Sequence, residues 1–358
     1  MDRKMQKDVF KILVVRFSSL GDIVLTTPVI QALKSGFPNS HIFFLTKTQY
    51  ADLFRDDLRM FSVSQFDKDG KHKGLRGFLR LVRELRSHDF DLLIDLHANL
   101  RSSLVRHLTK SEVKLKYDKR RLSRFLMVGL KFLKTKPVRT IDSYLGVLEK
   151  LDIAPSDKAP YLYLSKADIE FSEHFLLEEK VKKDDIVVGV HPGARWETKR
   201  WDEAKFRQVC QVLVRKVNCK ILLLGDAGDK ELIERISTGM PAGTMVKATG
   251  LPLRKLMSLI KRCACLVAND SGPMQIAWAL QVPVVAIFGP THPHLGFAPT
   301  GANAVILCAN VKCSPCSLHG KRRCHKKARL CMDLITPEMA IEAVERLLPE
   351  NKLISKES

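Results

Sequence analysis

Apolar residues come in short unbroken runs, and each run gives way to a stretch where they recur every three or four positions. The first half has such runs at 11–16, 41–46 (His41-Ile42-Phe43-Phe44-Leu45-Thr46) and 91–96 (Asp91-Leu92-Leu93-Ile94-Asp95-Leu96), with helical spacing over 26–36 and 75–88. The second half restarts at 185–190 and continues with runs at 219–224, 264–268 and 283–288. Helices are predicted there over 202–216, 229–237, 252–261, 273–281 and 337–348, the last with Thr336 as N-cap and Pro337 at its first position. A strand that is apolar throughout, rather than at alternate positions, is buried on both faces. That is the condition of a parallel sheet covered by helices on each side, so the pattern predicts an α/β protein.

Two prolines fall within 152–165 and mark a connection between the halves. Residues 1–160 and 161–335 then form two Rossmann-like domains, with 336–358 as a C-terminal helix and tail. A chain of 358 residues suits two cores of about 150–180 residues better than one. The halves repeat an architecture and not a sequence.

Two turns draw the chemistry to themselves. Lys11-Ile12-Leu13-Val14-Val15 leads into Phe17-Ser18-Ser19-Leu20-Gly21-Asp22, and Cys265-Leu266-Val267-Ala268 leads into Asn269-Asp270-Ser271-Gly272-Pro273. Each reads as strand, tight turn, helix, and in an open parallel sheet such turns lie at the carboxyl ends of the strands, where ligands bind. One turn in each half, with the two sheets facing an interdomain cleft, is the layout of an enzyme that joins two substrates. Gly21 permits the sharp turn that carries Ser18 and Ser19. Asp22 either caps the following helix or accepts a proton from a substrate hydroxyl. Ser271 or Asp270 caps the helix beginning at Gly272, whose first amides form an anion site suited to a diphosphate.

The loop His191-Pro192-Gly193-Ala194-Arg195-Trp196-Glu197-Thr198-Lys199-Arg200-Trp201 combines glycine, cations and two indoles. Lys199 and Arg200 either hold a phosphate or are solvated while Trp201 plugs into the core. Gly225-Asp226-Ala227-Gly228-Asp229 can set a carboxylate on a ribose hydroxyl. No Gly-x-Gly-x-x-Gly and no Walker A string occurs, which argues against nicotinamide, flavin and P-loop chemistry, and no cofactor is expected. Asp67-Lys68-Asp69 spells a pattern of metal-dependent sugar transferases, but it lies in a polar, basic stretch with no apolar strand leading into it and reads as a solvated loop. Cys313, Cys316, Cys324 and Cys331 begin like a structural zinc site, with the second pair too widely spaced for a standard ribbon; the alternative is a basic loop of reduced thiols.

Composition adds charge and compartment. The net charge is +21, and residues 101–139 hold 13 Lys/Arg against 2 Asp/Glu, so an anionic partner or surface is expected. Residues 312–329 add 7 more cations and no acid. No run of apolar residues is long enough to span a membrane and no signal peptide is evident, so a cytoplasmic protein is expected. Nine cysteines, an odd number, fit a reducing compartment.

Read together, the strings resemble glycosyltransferase family 9, which contains the bacterial lipopolysaccharide heptosyltransferases. The resemblance rests on Val15-Arg16-Phe17-Ser18-Ser19-Leu20-Gly21-Asp22 with Thr27-Pro28, on His191-Pro192-Gly193-Ala194 with Lys199-Arg200-Trp201, on Asn269-Asp270-Ser271-Gly272-Pro273-Met274, and on Phe288-Gly289-Pro290-Thr291. It implies a GT-B fold with the acceptor in the N-terminal domain and the nucleotide sugar in the C-terminal one. It implies inverting, metal-independent transfer of a heptose from ADP-L-glycero-D-manno-heptose to the lipid A–Kdo inner core of lipopolysaccharide. By the family's pattern Asp22 is the general base, Lys199 and Arg200 serve the donor, Asp229 lies near the ribose, and Asp270, Ser271 and Gly272 lie at the diphosphate. Ser18, Ser19 and Gly21 form the acceptor loop. The chain departs from the pattern at Asp229, where relatives carry Glu, and at Gln275, where members often carry His. The Cys-x-x-Cys segment resembles one in some second-heptose enzymes. An acceptor embedded in the inner leaflet implies peripheral association with the inner face of the cytoplasmic membrane. The basic amphipathic stretch 119–135 then either lies on anionic lipid or is an ordinary helix with a basic solvent face. Two rivals remain: another sugar transferase of the same fold with a different donor or acceptor, and a basic nucleic-acid binder. Against the second, only 7% of residues are aromatic and no RNA-binding string occurs.

Overall fold

The computed structural model describes residues 9–119, 128–129, 139–320, 323–326 and 328–348. Apart from Lys119, Val128 and Gly129, the 119–135 stretch lies outside the described residues. The chain divides into two units. The first runs from the N-terminus through residue 120 and is completed by the segment Arg139–Tyr163; Leu164 opens the main body of the second.

In the first unit five parallel strands, β1 (Lys11–Val15), β2 (His41–Lys47), β3 (Ser62–Phe66), β4 (Phe90–Asp95) and β5 (Ser111–Lys116), lie in the order β3-β2-β1-β4-β5. The inner strands β1, β2 and β4 are the apolar runs, and almost every residue in them is buried. The chain winds from β1 toward β2 and β3, then crosses back to β4 and β5. The direction therefore reverses between β1 and β4, and their carboxyl ends flank a crevice. The helices are α1 (Leu20–Val24), α2 (Thr27–Gly36), α3 (Gly74–Arg86), α4 (Leu100–Leu108) and α5 (Thr140–Leu145). α3 buries Phe78, Leu81, Val82 and Leu85, and α4 buries Val105, in one core with Leu13, Val15, Phe43 and Leu93, so both helices cover the same side of the sheet. α5 returns to pack on α2.

The second unit repeats the winding. Its strands are β6 (Val187–His191), β7 (Lys220–Gly225), β8 (Met245–Thr249), β9 (Cys265–Asn269), β10 (Val284–Phe288) and β11 (Ala304–Cys308), in the order β11-β10-β9-β6-β7-β8. The reversal here falls between β6 and β9. The helices are α6 (Lys166–Glu178), α7 (Glu203–Val217), α8 (Lys230–Ser237), α9 (Leu253–Arg262), α10 (Gly272–Ala279), α11 (Leu330–Asp333) and α12 (Pro337–Leu347). Asp202 caps α7 by accepting from the Ala204 amide at 2.8 Å, and Thr336 caps α12 through the Met339 amide at 3.4 Å. α12 packs on α7, so the expected tail helix is part of the second unit's core. Among the described residues no helix is long and apolar enough to cross a membrane.

Sequence and structure part at the sheet edges. β3, β5 and β8 carry no unbroken apolar run of the kind that predicted the inner strands, because an edge strand is half-exposed and can be polar; β11 does carry one, Ala304-Val305-Ile306-Leu307-Cys308, which the sequence reading did not assign. β3, a largely polar edge strand, runs directly into Asp67, and Lys68 and Asp69 are exposed. Asp67 spends its carboxylate on its own turn, accepting from the amides of Gly70 and Lys71 at 2.8 and 3.1 Å. The helix expected over 26–36 is preceded by the separate five-residue α1, which holds Asp22.

α6 and α9 are joined by an ion pair between Asp168 and Arg254, with Arg254 Nε also donating to Asp168 Oδ1 at 3.2 Å. The Arg254 side chain is 3% exposed, and Asp168 also caps α6 through Ser165. Removing one partner of a buried pair strands the other charge. Asp168→Ala is expected to destabilise the protein by about 3 kcal/mol, and adding Arg254→Met is expected to recover part of that loss. Urea denaturation of the single and double variants checks both; a double variant as unstable as the sum of the singles would rule out the pairing.

Candidate active site

Among the groups that hold Asp22 are those of Ser19, Arg16 and Tyr144 in the first unit. Oδ2 accepts from the Ser19 hydroxyl at 2.6 Å and the Ser19 amide at 3.2 Å, which is the helix-capping reading of this residue. Oδ1 faces Arg16 Nη2 at 2.9 Å and the Tyr144 hydroxyl at 3.3 Å. The carboxylate thus caps with one oxygen and is pinned by a cation through the other, and its side chain stays 18% exposed. Arg16 ends β1 and is buried. Nη1 donates to the Leu96 carbonyl at 2.6 Å, and the guanidinium lies over the Tyr144 ring. Burial pulls the Arg16 pKa down, but the Asp22 carboxylate and the phenols of Tyr144 and Tyr117 outweigh it and hold the guanidinium above its ordinary value.

The turn after β4 closes the other side of this crevice. Asp95 is fully buried and accepts from the amides of His97 and Ala98 at 2.9 and 2.8 Å and from the Ser102 hydroxyl at 3.0 Å. That fixes His97 edge-on to Phe17, which opens the Ser18–Asp22 turn. Burial is the main reason that His97 is pushed down to about 3; Arg16, Lys119 and Lys47 push the same way and Asp22 opposes them. The ring is therefore neutral beside the carboxylate.

In the second unit the loop after β6 and the turn after β9 are sewn together. The buried Asn269 accepts from the Trp201 amide at 3.1 Å and donates to the Pro192 carbonyl at 2.7 Å. Lys199 Nζ then lies 2.6 Å from Asp270 Oδ2, which also accepts from the Thr291 hydroxyl at 2.6 Å. Asp270 is turned to Lys199 and Thr291, and Ser271 stands at the N-cap position of α10 without a side-chain cap bond among the described residues. Arg200 Nη2 meets Asp229 at 3.1 Å and Nε donates to the Ala194 carbonyl at 3.0 Å. Asp229 is buried beside Gly193, where an added Cβ would stand 2.1 Å from its carboxylate oxygen. Trp201 fills the core as expected and donates to the Ile335 carbonyl at 3.1 Å.

Sequence reading named Asp22, Lys199, Arg200, Asp229 and Asp270 on these turns but not the groups that hold them. Arg16, Tyr144, Asp95, Asn269 and Thr291 had no assigned role. Arg16 did leave a signal, as a cation ending an otherwise apolar strand. Tyr144 left none, since it lies 122 residues from its carboxylate.

Cys313, Cys316, Cys324 and Cys331 line one small cavity of about 20 Å³ with Thr198 and Pro290. Burial, and then the three other thiols, push Cys331 up to about 12. Among the described residues no group of three or more His, Cys, Asp or Glu side chains is placed to hold a metal ion. The segment also buttresses the loop after β6. Ser314 donates to the Gly289 carbonyl at 2.7 Å and the Cys316 amide to that of Pro290 at 3.0 Å. Gly320, at φ +82°, lies against Lys199, where a Cβ would meet Cγ at 2.7 Å. Only glycine combines that backbone with that contact.

The depressed His97 pKa has a consequence for stability. Below its ordinary value of 6.5 the unfolded chain binds a proton that the folded one refuses until about 3. Stability from this group is full above that window and is lost as pH falls through it. His97→Gln is expected to flatten the pH dependence of the unfolding free energy across the window, as read by urea titrations of both proteins; parallel pH curves would show that His97 takes up its proton in the folded state.

With this geometry in place, comparison with known proteins becomes informative. The profile of glycosyltransferase family 9 (heptosyltransferase) matches residues 78–327. Lipooligosaccharide heptosyltransferase 2 of Campylobacter jejuni is 26% identical over 333 residues, which cover 92% of this chain and 96% of that protein. The crystal structure of a glycosyl transferase family 9 protein from Veillonella parvula superposes with a TM-score of 0.79 at 24% identity, covering 96% of this chain and 98% of that one. E. coli heptosyltransferase WaaC with ADP-2-deoxy-2-fluoro heptose superposes with a TM-score of 0.68 at 17% identity, covering 94% and 99%. The two parallel-sheet units are those of the GT-B fold. The chain belongs to glycosyltransferase family 9, the heptosyltransferases, and is an enzyme of that kind.

Proposed function

We propose that this enzyme transfers a heptose from ADP-L-glycero-D-manno-heptose to the lipid A–Kdo inner core of lipopolysaccharide, with inversion and without a metal. The observation that carries the donor half is Lys199, set 2.6 Å from Asp270 at the N-terminal tip of α10. A cation beside the first amides of a helix is a site for a diphosphate. A solved relative was captured with an ADP-heptose analogue, which supports the same donor here.

In the proposed step the acceptor hydroxyl attacks the anomeric carbon from the face opposite the diphosphate. Its proton passes to Asp22, the anomeric C–O bond breaks, and ADP leaves with the bonding pair. Arg16 keeps Asp22 ionised at the start, and Tyr144 and Ser19 fix its direction. Lys199 and the amides at Ser271 and Gly272 stabilise the charge that grows on the diphosphate. Asp270 is itself an anion, so its role is to aim Lys199 rather than to touch phosphate. Arg200 and Asp229 form the pair placed for the ribose. Ser18, Ser19 and Gly21 shape the acceptor turn. The acceptor is anionic and lipid-borne, which agrees with the net charge of +21 and with peripheral association at the inner face of the cytoplasmic membrane.

Asp22→Asn keeps the turn but removes the base. It is expected to lower turnover by about 10²–10⁴-fold while leaving ADP affinity unchanged in calorimetry, and normal turnover would reduce Asp22 to a cap.

Lys199→Ala is expected to weaken ADP binding by about 10–100-fold. Part of that loss comes from exposing the phosphate to an uncompensated Asp270, so adding Asp270→Asn should restore part of the affinity. Calorimetry that finds the single variant binding ADP like the parent removes Lys199 from the donor site.

A further inference from the structure

We propose that the outer surface of α3 and α4 docks the first unit on an anionic lipid bilayer. The inference deepens the function above, since it rests on a lipid-borne acceptor bound by this unit. Both helices bury one side in the same core, so their opposite sides face outward together. On that outward side five leucines are exposed: Leu75 and Leu79 on α3, and Leu100, Leu104 and Leu108 on α4. The spacing of four residues puts each set in a line along its helix. Leu75 and Leu100 are 75% and 80% exposed, far beyond what a surface leucine covered by its neighbours shows.

The charges between these leucines select the partner. Arg76, Arg80, Arg83 and Arg86 on α3 are exposed, and none forms an ion pair among the described residues. Arg101 adds a cation to the first turn of α4. Glu84 is the one acid on either helix, and it is tied to Lys71 and His72. A second copy of this face would meet it with like charge, whereas an anionic bilayer offers headgroups to the arginines and acyl chains to the leucines.

Position relative to the site fits the same partner. Arg101 lies over the Phe66 ring at 5.3 Å, Phe66 packs on Phe17 at 5.1 Å, and Phe17 opens the turn that carries Asp22. One layer of aromatic rings thus separates the start of the docking face from the acceptor turn. A sugar projecting from a bilayer against α4 would reach that turn without leaving its lipid.

The test is flotation of the full-length protein with vesicles of phosphatidylethanolamine and phosphatidylglycerol, against vesicles of phosphatidylcholine alone. The protein is expected to float with the anionic vesicles, less so as salt is raised, and to stay behind with the neutral ones. The triple variant Leu100→Ser, Leu104→Ser, Leu108→Ser and the triple variant Arg76→Gln, Arg80→Gln, Arg101→Gln should each lose about tenfold or more of that binding. All six positions are exposed, and circular dichroism of each variant verifies folding. Wild-type protein that ignores anionic vesicles, equal binding to both vesicle types, or leucine variants that float like wild type would each overturn the proposal. Flotation uses neither donor nor acceptor. Heptose transfer to a delipidated core oligosaccharide therefore tests the proposed reaction separately.

Discussion

The carboxyl ends of parallel strands leave turn amides and carbonyls beyond the reach of the sheet's own ladder. Those groups are buried and must find partners, and nearly every functional side chain here is positioned by meeting that demand. In the first unit Arg16 takes the Leu96 carbonyl while Asp95 takes the amides of His97 and Ala98. In the second, Asn269 takes the Pro192 carbonyl and the Trp201 amide. Arg16 and Asn269 each lie at the end of one strand of a reversal pair and bond to the loop of the other, while Asp95 ties down the turn of its own strand. The crevice between the two strands is thereby fixed in width, and whatever projects into it inherits that rigidity.

The charges in both crevices follow one scheme. Asp22 is paired with Arg16, Lys199 with Asp270, and Arg200 with Asp229. No pair is sealed from water on both sides. In two of them the fixed member is the more buried one: Arg16 is 7% exposed against 18% for Asp22, and Asp229 is 3% exposed against 37% for Arg200. The buried member cannot leave, because it has nowhere else to satisfy its charge. The outer member is oriented by it and keeps a side toward solvent. A group aimed in this way needs little rearrangement when a charged substrate arrives.

How much of this could be read from the sequence depends on how local each determinant is. The inner strands were legible because burial on both faces forces an unbroken apolar run, as in Lys11–Val15 and Cys265–Asn269. Three of the edge strands were not, since half-exposure allows sequences such as Ser-Glu-Val-Lys-Leu-Lys in β5, while the fourth, β11, is an apolar run that went unassigned. The turns that hold Asp22 and Asp270 were found because glycine and a following helix mark them. The partners that orient these acids come from other strands and helices, and sequence spacing carries no trace of them. The four thiols stood out by their spacing, and in the folded chain they line one cavity; spacing carried no trace of how their segment hooks its backbone onto the turn after β10 and seats Gly320 against Lys199.

That seat has a bearing on synthesis. Lys199 and the turn after β9 are complete once the ribosome has passed Asp270, yet the lysine leans on Gly320. Lys205 in the next helix gives its ammonium to the carbonyls of Asp333 and Ile335 at 2.6 and 2.8 Å. A nascent chain that stops after β11 would carry the strands of the second sheet but not the glycine on which Lys199 leans. The packing around Lys199 and α7 is therefore completed only when the segment from Gly320 to Ile335 joins the fold.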